Sequence, residues 1–321
     1  MTTSTVGGDT VQAPEDVQSS TAAVSAGALR LIWISARPEQ WIKNSLVLAA
    51  LVFARRFTEL DQVARALVCL AGFVALSSAV YLWNDVMDRD RDRRHPLKHG
   101  RPIASGSLSP RAALCSAVVL ALAGLAGALA LGTGVLVLAA GYLLNNVLYT
   151  LWLRQEVILD LMSISAGFLL RASAGAVALQ VRFSPWLLLC TLLLSLFLGL
   201  CKRRHEVMLL AEGAAAHRKS LGEYSLAFLD QGIALVTAST LIAYAMYTLS
   251  PEVQSKLHSP HLPWTIPIVL YGLFRYLYVA YHRQAGGDPS RLLLTDRALL
   301  GSILLWGVVV LALLVLGDPQ A

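Results

Sequence analysis

Apolar residues occur along this chain in long runs, and short polar segments separate one run from the next. Most runs approach the roughly 20 residues that a helix needs to cross the hydrocarbon core of a bilayer. The pattern predicts nine membrane-spanning helices, at approximately residues 38–56, 62–86, 110–131, 133–152, 156–180, 184–201, 228–249, 263–282 and 295–316. The first run is the least hydrophobic, and an interfacial position for part of it is the alternative.

The composition supports a membrane protein. Of the 321 residues, 56% are hydrophobic and 14% are charged, whereas soluble domains carry about 25% charged residues. A very large soluble core is the alternative, but the length of the apolar runs argues against it. The predicted fold class is therefore all-α, a polytopic membrane protein with about nine transmembrane helices. Residues 1–29 are rich in Ser, Thr, Ala and Gly, and we predict a disordered tail there, followed by one membrane domain at 30–321.

Basic residues are distributed unevenly between the predicted spans. Most of them follow the second, fourth, sixth and eighth spans, at residues 89–111, 154, 202–219 and 283–291. The positive-inside rule then places the N-terminus in the cytoplasm and the C-terminus outside. In this topology the even-numbered loops share the cytoplasmic face of the cell membrane, and we expect the chemistry of the protein to take place there.

An acidic segment follows the second predicted span. If the helix continues into it, Asn84, Asp85, Asp88 and Asp92 fall within one arc of about 100°, and Asp90 points elsewhere. Carboxylate and amide oxygens with open positions suit Mg²⁺, which keeps waters and bridges to substrate phosphates. The alternative is a solvated charged loop in which the aspartates pair with the interleaved arginines.

The residues after this segment add cations that suit phosphate oxygens, among them Lys98 and Arg101. The pattern Asn84-Asp-x-x-Asp88-x-x-x-Asp92, followed by Arg-Pro-Ile-Ala-Ser-Gly at 101–106, resembles the first aspartate motif of the UbiA superfamily of intramembrane prenyltransferases. The resemblance covers nearly all of the chain beyond the tail. It implies a UbiA-like transmembrane catalytic domain that binds a diphosphate through magnesium.

The loop after the sixth predicted span departs from the usual pattern of that superfamily. It carries a basic run that ends in an acid, Lys202-Arg203-Arg204-His205-Glu206, and it has no second DxxxD motif. One acidic cluster and one basic cluster suit a different pair of substrates, a metal-bound diphosphate and a second, free phosphate. Together with Arg37–Asn44, Asp160 and Gly167–Arg171, this loop is similar to the decaprenyl-phosphate phosphoribosyltransferase branch.

That resemblance implies a Mg²⁺-dependent pentosyltransferase. The expected reaction transfers 5-phosphoribose from phosphoribosyl diphosphate (PRPP) to decaprenyl (polyprenyl) phosphate, releases pyrophosphate and supplies precursors of cell-wall arabinan. The expected partners are these two substrates and the lipid bilayer, without nucleic acid, and a homo-oligomer is left open. A prenyltransferase that joins a prenyl diphosphate to an aromatic acceptor is the main alternative. A transporter of phosphorylated metabolites is less favoured, because the polar groups cluster at helix ends and not at the bilayer midplane.

Three further groups of polar residues each share one helical face: Gln40, Lys43 and Asn44; Tyr142, Asn146 and Tyr149; and Asp160, Gly167 and Arg171. For Asp160 and Arg171 a structural ion pair is the alternative, and for the Tyr/Asn group it is interhelical hydrogen bonding. The predicted metal ligands are Asn84, Asp85, Asp88 and Asp92. The predicted catalytic residues are Asp85, Asp88, Asp92, Lys43 and Arg203. The predicted substrate-binding residues are Gln40, Lys43, Asn44, Asn84, Arg101, Tyr142, Asn146, Tyr149, Asp160, Arg171, Lys202, Arg203, Arg204 and Glu206.

Overall fold

The computed structural model describes residues 27–182, 185–210, 219–282 and 287–316, and within these ranges all regular structure is helical. Eight helices are long and apolar enough to cross a membrane. They are α3 (Leu60–Met87), α6 (Pro110–Leu131), α7 (Thr133–Leu151), α8 (Leu159–Ala178), α9 (Pro185–Leu210), α11 (Leu226–Leu249), α13 (Ile266–His282) and α15 (Arg297–Leu316). They confirm the second to ninth predicted spans and the all-α fold class.

Shorter helices connect or flank the long ones. They are α1 (Gly27–Ala36), α2 (Ala49–Phe53), α4 (Arg89–Arg94), α5 (Pro102–Ser105), α10 (Lys219–Glu223), α12 (Pro251–Leu257) and α14 (Pro289–Thr295). Among the residues that the structure describes, three segments are 3₁₀ helices: Pro38–Leu48, Leu153–Gln155 and Leu262–Thr265. Residues 27–29 were predicted to end the tail but form the first turn of α1, because the apolar run that makes this helix begins there.

Four connections meet on one face of the bundle, namely those that follow α3, α7, α9 and α13. Arg154, after α7, donates a hydrogen bond of 2.8 Å from Nη1 to Asp88 Oδ2, after α3. The Ser220 hydroxyl donates to the Arg154 carbonyl at 2.8 Å, and Gly287 adjoins the ring of His205. The structure therefore brings together the even-numbered loops, as the charge distribution predicted. We call this the polar face.

The opposite face is held by arginines that donate to carbonyl groups at helix ends. Arg65 Nε donates to the Ala178 carbonyl at 2.7 Å, and its Nη2 donates to the Leu131 carbonyl at 3.2 Å. Arg55 Nη1 reaches the Leu257 carbonyl at 3.3 Å. These bonds satisfy carbonyl groups that lack a partner at the C-terminal ends of helices.

The first predicted span is a 3₁₀ helix, Pro38–Leu48, that continues into α2. A 3₁₀ helix rises about 2.0 Å per residue and an α-helix about 1.5 Å, so this short segment covers about 30 Å, the thickness of a hydrocarbon core. Its start lies at the polar face, where Gln40 contacts Asp288, and Arg55 lies just beyond its end at the opposite face. The segment therefore crosses the bundle, although it is not one continuous α-helix.

This crossing segment packs closely against α8 because residue 175 is glycine. A β-carbon at Gly175 would lie 2.1 Å from the carbonyl oxygen of Val47, which is far inside van der Waals contact. Gly124 plays the same part between α6 and α3, where a β-carbon would lie 2.8 Å from the Gly72 carbonyl oxygen. Small residues at helix contacts allow such close approach in membrane proteins.

The predicted end of the sixth span was wrong by nine residues. The prediction ended the span at 201, but α9 continues to Leu210 and carries the basic run 202–204 and Glu206 on its last turns. No proline or glycine occurs between Gly199 and Leu210, and Arg203 pairs with Glu206 one turn further on, so the helix continues. Arg218, which belonged to the same predicted loop, lies outside the described residues.

The outward surfaces of the long helices are apolar. Leu122, Val137, Leu235, Val308 and Val315 all expose more than half of their surface. A soluble protein would rarely leave so many large apolar side chains exposed on all its helices. The chain is therefore an integral, multi-pass membrane protein.

We expect Gly175→Ala to disrupt the contact between the crossing segment and α8. The added methyl group would force the Val47 backbone away and lower the free energy of unfolding by about 2 kcal/mol or more, as overpacking does. Thermal unfolding of the detergent-solubilised protein measures this loss. The matched control is Gly127→Ala on α6, where a β-carbon meets nothing within 4 Å. Equal stability of the two variants would contradict the close approach.

Candidate active site

A cavity of about 680 Å³ opens at the polar face. It is within the range of sizes typical of small-ligand sites. Its charged lining residues are Asp88, Arg91, Asp92, Lys98, Arg101, Arg154, Glu206, Asp288 and Arg291. They come from all four connections of this face, so the cavity exists only when the whole bundle has assembled.

The acidic segment extends the helical path of α3 into the cavity. The Asp88 N–H donates to the Asn84 carbonyl and the Asp92 N–H to the Asp88 carbonyl, both at 2.8 Å, which is the spacing of an α-helix. Asp85 and Asp92 are buried on one side of this path, whereas the Asp90 side chain is 80% exposed. The predicted arc of carboxylates, with Asp90 outside it, is confirmed.

Each carboxylate in this arc has an arginine partner. Arg101 Nη1 lies 3.1 Å from Asp85 Oδ1 and 2.7 Å from Asp92 Oδ2, and Arg37 also pairs with Asp85. A third arginine, Arg154, donates to Asp88 Oδ2 at 2.8 Å. The predicted alternative of Asp–Arg pairing is thus present, but most of the partners come from elsewhere in the chain and not from the interleaved arginines.

The donor set fits a divalent cation in part. Asp88 Oδ1 is buried and accepts no hydrogen bond, and the nearest cationic nitrogen, Arg91 Nη1, is 3.8 Å away. Asn84 Oδ1 accepts a hydrogen bond of 2.6 Å from the Thr150 hydroxyl. Within the described ranges, no three acidic, histidine or cysteine side chains converge closely enough to hold a metal. The predicted ligands therefore converge only if the arginines between them move.

A buried ion pair lies next to the cavity, behind the lining residue Glu206. Arg203 is 1% exposed and Asp160 is fully buried, and Arg203 Nε donates to Asp160 Oδ2 at 2.5 Å. Arg203 also pairs with Glu206 and donates to the Tyr149 hydroxyl at 3.2 Å. All three of its nitrogen atoms are therefore engaged with protein groups. This arrangement favours a positioning role for Arg203 over direct contact with substrate.

The Asp160 carboxylate is held from a second side by Tyr224. The Tyr224 hydroxyl donates to Asp160 Oδ1 at 2.7 Å and accepts from the Ile158 N–H at 2.8 Å. Ile158 has φ 70°, a conformation that a β-branched residue rarely adopts. Burial raises the pKa of Tyr224, and the hydrogen bond to Asp160 raises it further. Tyr224 therefore stays protonated and can keep donating to the carboxylate.

Arg171 does not pair with Asp160, so the structural ion pair between them is wrong. Arg171 Nε donates to Asn44 Oδ1 at 2.8 Å, Nη1 to the Gly167 carbonyl at 2.9 Å and Nη2 to the Tyr142 hydroxyl at 2.8 Å. The two residues lie three turns apart on α8, and the packing of the crossing segment brings Asn44 to the arginine. This cluster joins three helices below the cavity.

Gln40 connects the crossing segment to the loop before α14. Its Nε2 lies 3.2 and 3.1 Å from the two carboxylate oxygens of Asp288, and its Oε1 accepts from the Ser290 hydroxyl at 3.1 Å. Asp288 caps α14 by accepting from the Ser290 N–H at 3.1 Å. The sequence predictions missed Asp288, although Asp-Pro-Ser is a typical start of a helix.

The charges of nearby lysines also affect the pKa of Asp288. Burial alone would raise its pKa, but hydrogen bonds from Gln40 and the Arg291 N–H and the nearby charges of Lys43 and Lys202 outweigh burial, and the net effect lowers the pKa. The carboxylate therefore stays ionised and lies between two lysines that belong to different helices.

Two lysines remain without a partner among the described residues. The ammonium groups of Lys43 and Lys98 form no hydrogen bond and no salt bridge there, whereas Lys202 Nζ lies 3.9 Å from Glu206 Oε1. Burial lowers the pKa of Lys98, and the charge of Arg101 lowers it further. Both lysines are partly buried, and an anionic ligand could form the direct ion pair that each of them lacks among the described residues.

Among the predicted substrate-binding residues, Arg101 and Glu206 line the cavity, whereas Arg204 and Asn146 make contacts outside its lining. Arg204 Nε pairs with Asp230 Oδ1 at 2.6 Å, and its guanidinium lies over the ring of Tyr281 at 3.9 Å. Asn146 Nδ2 donates back to the Tyr142 carbonyl at 2.8 Å. The turn of α9 explains the placement of Arg204, because consecutive residues on a helix face about 100° apart. Their roles in substrate binding stay predictions.

The fold and the cavity together define a multi-pass membrane protein with a candidate anion-binding site at a membrane boundary. Residues 45–300 match the UbiA prenyltransferase family, and the chain belongs to this family. It is 33% identical over 287 residues to a decaprenyl-phosphate phosphoribosyltransferase from Mycobacterium tuberculosis, covering 88% of this chain and 92% of that protein. It is 32% identical to the protein of that name from Mycolicibacterium smegmatis, covering 84% and 88%.

The fold is also that of a solved family member. A UbiA homologue from Archaeoglobus fulgidus, solved with GPP and Mg²⁺, superimposes with a TM-score of 0.65 at 17% identity, covering 89% of this chain and 99% of that protein. The similarity confirms the fold that the acidic motif suggested.

We expect Asp160→Ala to lower the free energy of unfolding by about 3 kcal/mol, because it leaves the Arg203 charge buried with fewer partners. Thermal unfolding in detergent measures the loss. The control is Glu59→Ala, which removes the exposed partner of Arg56 on the opposite face and should cost less than about 1 kcal/mol. A smaller effect at Asp160 than at Glu59 would contradict the role of the buried pair.

Proposed function

We propose that this protein transfers 5-phosphoribose from PRPP to a polyprenyl phosphate and releases pyrophosphate. The observation that carries the proposal is the distribution of charge in the cavity. Asp88 and Asp92 of the acidic arc line the cavity together with Lys98, and Lys43 and Lys202 lie close to another lining residue, Asp288. The names of the relatives from Mycobacterium tuberculosis and Mycolicibacterium smegmatis, which match over most of the chain, support the same reaction.

The acidic arc is the proposed donor side. Asp85, Asp88 and Asp92, helped by Asn84, would hold Mg²⁺, and the buried acceptor atom Asp88 Oδ1 supports this assignment. When bound, magnesium would neutralise charge on the diphosphate of PRPP as pyrophosphate leaves. The UbiA homologue from Archaeoglobus fulgidus was solved with GPP and Mg²⁺, a diphosphate and a metal of the same classes.

Three lysines are the proposed sites for the other phosphates: Lys43 and Lys98, which form no salt bridge among the described residues, and Lys202, whose Nζ lies 3.9 Å from Glu206 Oε1. Lys43 lies on the crossing segment and Lys202 on α9, and both approach Asp288 closely enough to affect its pKa. Lys98 lies in the cavity wall near Arg101. The polyprenyl phosphate and the 5-phosphate of ribose would each need such a cation. The polyprenyl chain would lie between helices, with its phosphate at the polar face.

The chemistry needs no strong general base. The anionic oxygen of the polyprenyl phosphate attacks C1 of the ribose and forms the new C–O bond. The C1–O bond to pyrophosphate breaks, and pyrophosphate leaves with the bonding electrons while the ribose gains oxocarbenium character. Because the nucleophile is already ionised, no proton has to be removed. The protein's task is to position two anions side by side and to neutralise their repulsion.

The polar face would be cytoplasmic in the cell membrane. The basic residues of the connections after α3, α7, α9 and α13 favour this orientation by the positive-inside rule. PRPP is a charged, water-soluble donor and would then enter the cavity from the cytoplasm, whereas the lipid acceptor would enter from the membrane.

The direct test is product formation by the purified protein with PRPP and decaprenyl phosphate. We expect lipid-linked phosphoribose and pyrophosphate with Mg²⁺ and neither product after chelation. Asp88→Asn should lower kcat by about 100-fold or more, because it removes a proposed metal ligand. The matched control is Asp90→Asn, which lies two residues away and points into solvent, and which should retain activity.

The alternative is a prenyltransferase with an aromatic acceptor. It predicts turnover with geranyl diphosphate and an aromatic acceptor, and no product from PRPP. That outcome would overturn the proposal. Loss of activity in both aspartate variants would instead contradict the assignment of the metal ligands within the acidic segment.

A further inference from the structure

The three carboxylates of the acidic arc are matched by three arginines. Asp85 is bound by Arg37 and Arg101, Asp92 by the same Arg101, and Asp88 by Arg154. Arg91, whose side chain is 55% exposed, adds a longer contact of 3.8 Å from its Nη1 to Asp88 Oδ1. The three closely paired arginines already balance the three carboxylates, so a divalent cation added to the cluster would leave uncompensated positive charge in a partly buried site.

Two of these arginines come from loops that line the cavity. We propose that Arg101 and Arg154 act as resident counter-ions, which occupy the carboxylates in the metal-free protein and move to the diphosphate of the donor when a divalent cation binds. The inference rests on the proposed function only in taking the donor to be a diphosphate. It makes Arg154 a diphosphate-binding residue, a role that its place in the sequence did not predict.

Unpartnered atoms at the contact between Arg154 and Asp88 support this exchange. Arg154 is 9% exposed, yet its Nε has no hydrogen-bond partner, and Asp88 Oδ1 is also buried without one. The contact of 2.8 Å between Arg154 and Asp88 therefore leaves one hydrogen-bond donor of the guanidinium and one acceptor of the carboxylate without a partner. A metal ion would bind the free oxygen of the carboxylate. Phosphate oxygens would accept hydrogen bonds from the guanidinium, which can donate two of them in parallel.

The charges predict that metal and diphosphate bind cooperatively. Metal alone must displace an arginine and leave it without a counter-charge, which is unfavourable in a buried site. Diphosphate alone would be repelled by the carboxylates, and the arginines that should bind it would still be paired with them. When both bind together, the diphosphate neutralises the metal and the released arginines. Each ligand should therefore raise the affinity of the protein for the other.

Removing one resident arginine should have opposite effects on the two ligands. We expect Arg154→Gln to bind Mn²⁺ alone about 10-fold more tightly, because no cation has to be displaced from Asp88. The same variant should bind pyrophosphate in the presence of Mn²⁺ about 10-fold more weakly. Titration of the full-length protein in detergent, with free Mn²⁺ measured by electron paramagnetic resonance, gives both affinities. Inorganic pyrophosphate is the probe for the diphosphate.

Two further variants make the test specific. Arg101→Gln, at a partly exposed position that bridges Asp85 and Asp92, should shift both affinities in the same directions as Arg154→Gln, and it provides an independent test if Arg154→Gln unfolds. Arg91→Gln removes the same charge from the cavity wall, but its side chain is 55% exposed and lies 3.8 Å from Asp88. Its effect on the affinity for Mn²⁺ should stay below about 3-fold because solvent screens it.

Unchanged or weaker binding of Mn²⁺ alone in both Arg154→Gln and Arg101→Gln would overturn the inference. An effect of Arg91→Gln as large as theirs would also overturn it, since general charge would then explain the shifts. Failure of the proposed function is distinguishable. A protein that makes no product from PRPP but shows the opposite shifts in the arginine variants would keep the exchange and lose the substrate assignment.

Discussion

A charged group at the end of a membrane helix needs an opposite charge, a hydrogen-bond donor or acceptor, or a ligand beside it, because its surroundings solvate it poorly. Arg203 meets this requirement through Asp160, Glu206 and Tyr149, and it is almost fully buried. These contacts join α7, α8 and α9 where they reach the polar face. The position of Glu206, which lines the cavity, therefore depends on this buried cluster.

The same constraint organises the acidic arc. Its carboxylates would repel one another at the end of α3 without the guanidinium groups of Arg37, Arg101 and Arg154. Charge, and not apolar packing alone, therefore holds the loops over the cavity. The site is therefore assembled before substrates bind. A metal ion can replace the arginines at the carboxylates, and a phosphate can replace the carboxylates at the arginines, since each arginine binds a phosphate oxygen as readily as a carboxylate.

Lys43 and Lys98, which form no salt bridge among the described residues, add positive charge in and near the cavity. The sequence has no DxxxD motif after the sixth predicted span, and α9 carries Lys202, Arg203 and Glu206 there. Arg203 and Glu206 are engaged with each other, and the side chain of Lys43 approaches from the crossing segment. The cavity therefore has carboxylates on one side and lysines on or near another. Such a cavity suits two phosphorylated substrates better than one prenyl diphosphate and a neutral acceptor.

The sequence by itself determined the number and positions of the spans, the shared face of the basic loops and the arc of Asp85, Asp88 and Asp92. These features follow from local rules, the length of apolar runs and the 100° turn of a helix, so they can be read without knowledge of packing. Only the tertiary structure decided which charges meet. Asp160 pairs with Arg203 and not with Arg171, and Asp288 reaches Gln40 from 248 residues away. Those pairs depend on how closely helices approach, as at Gly175, and that distance has no signature in helical periodicity.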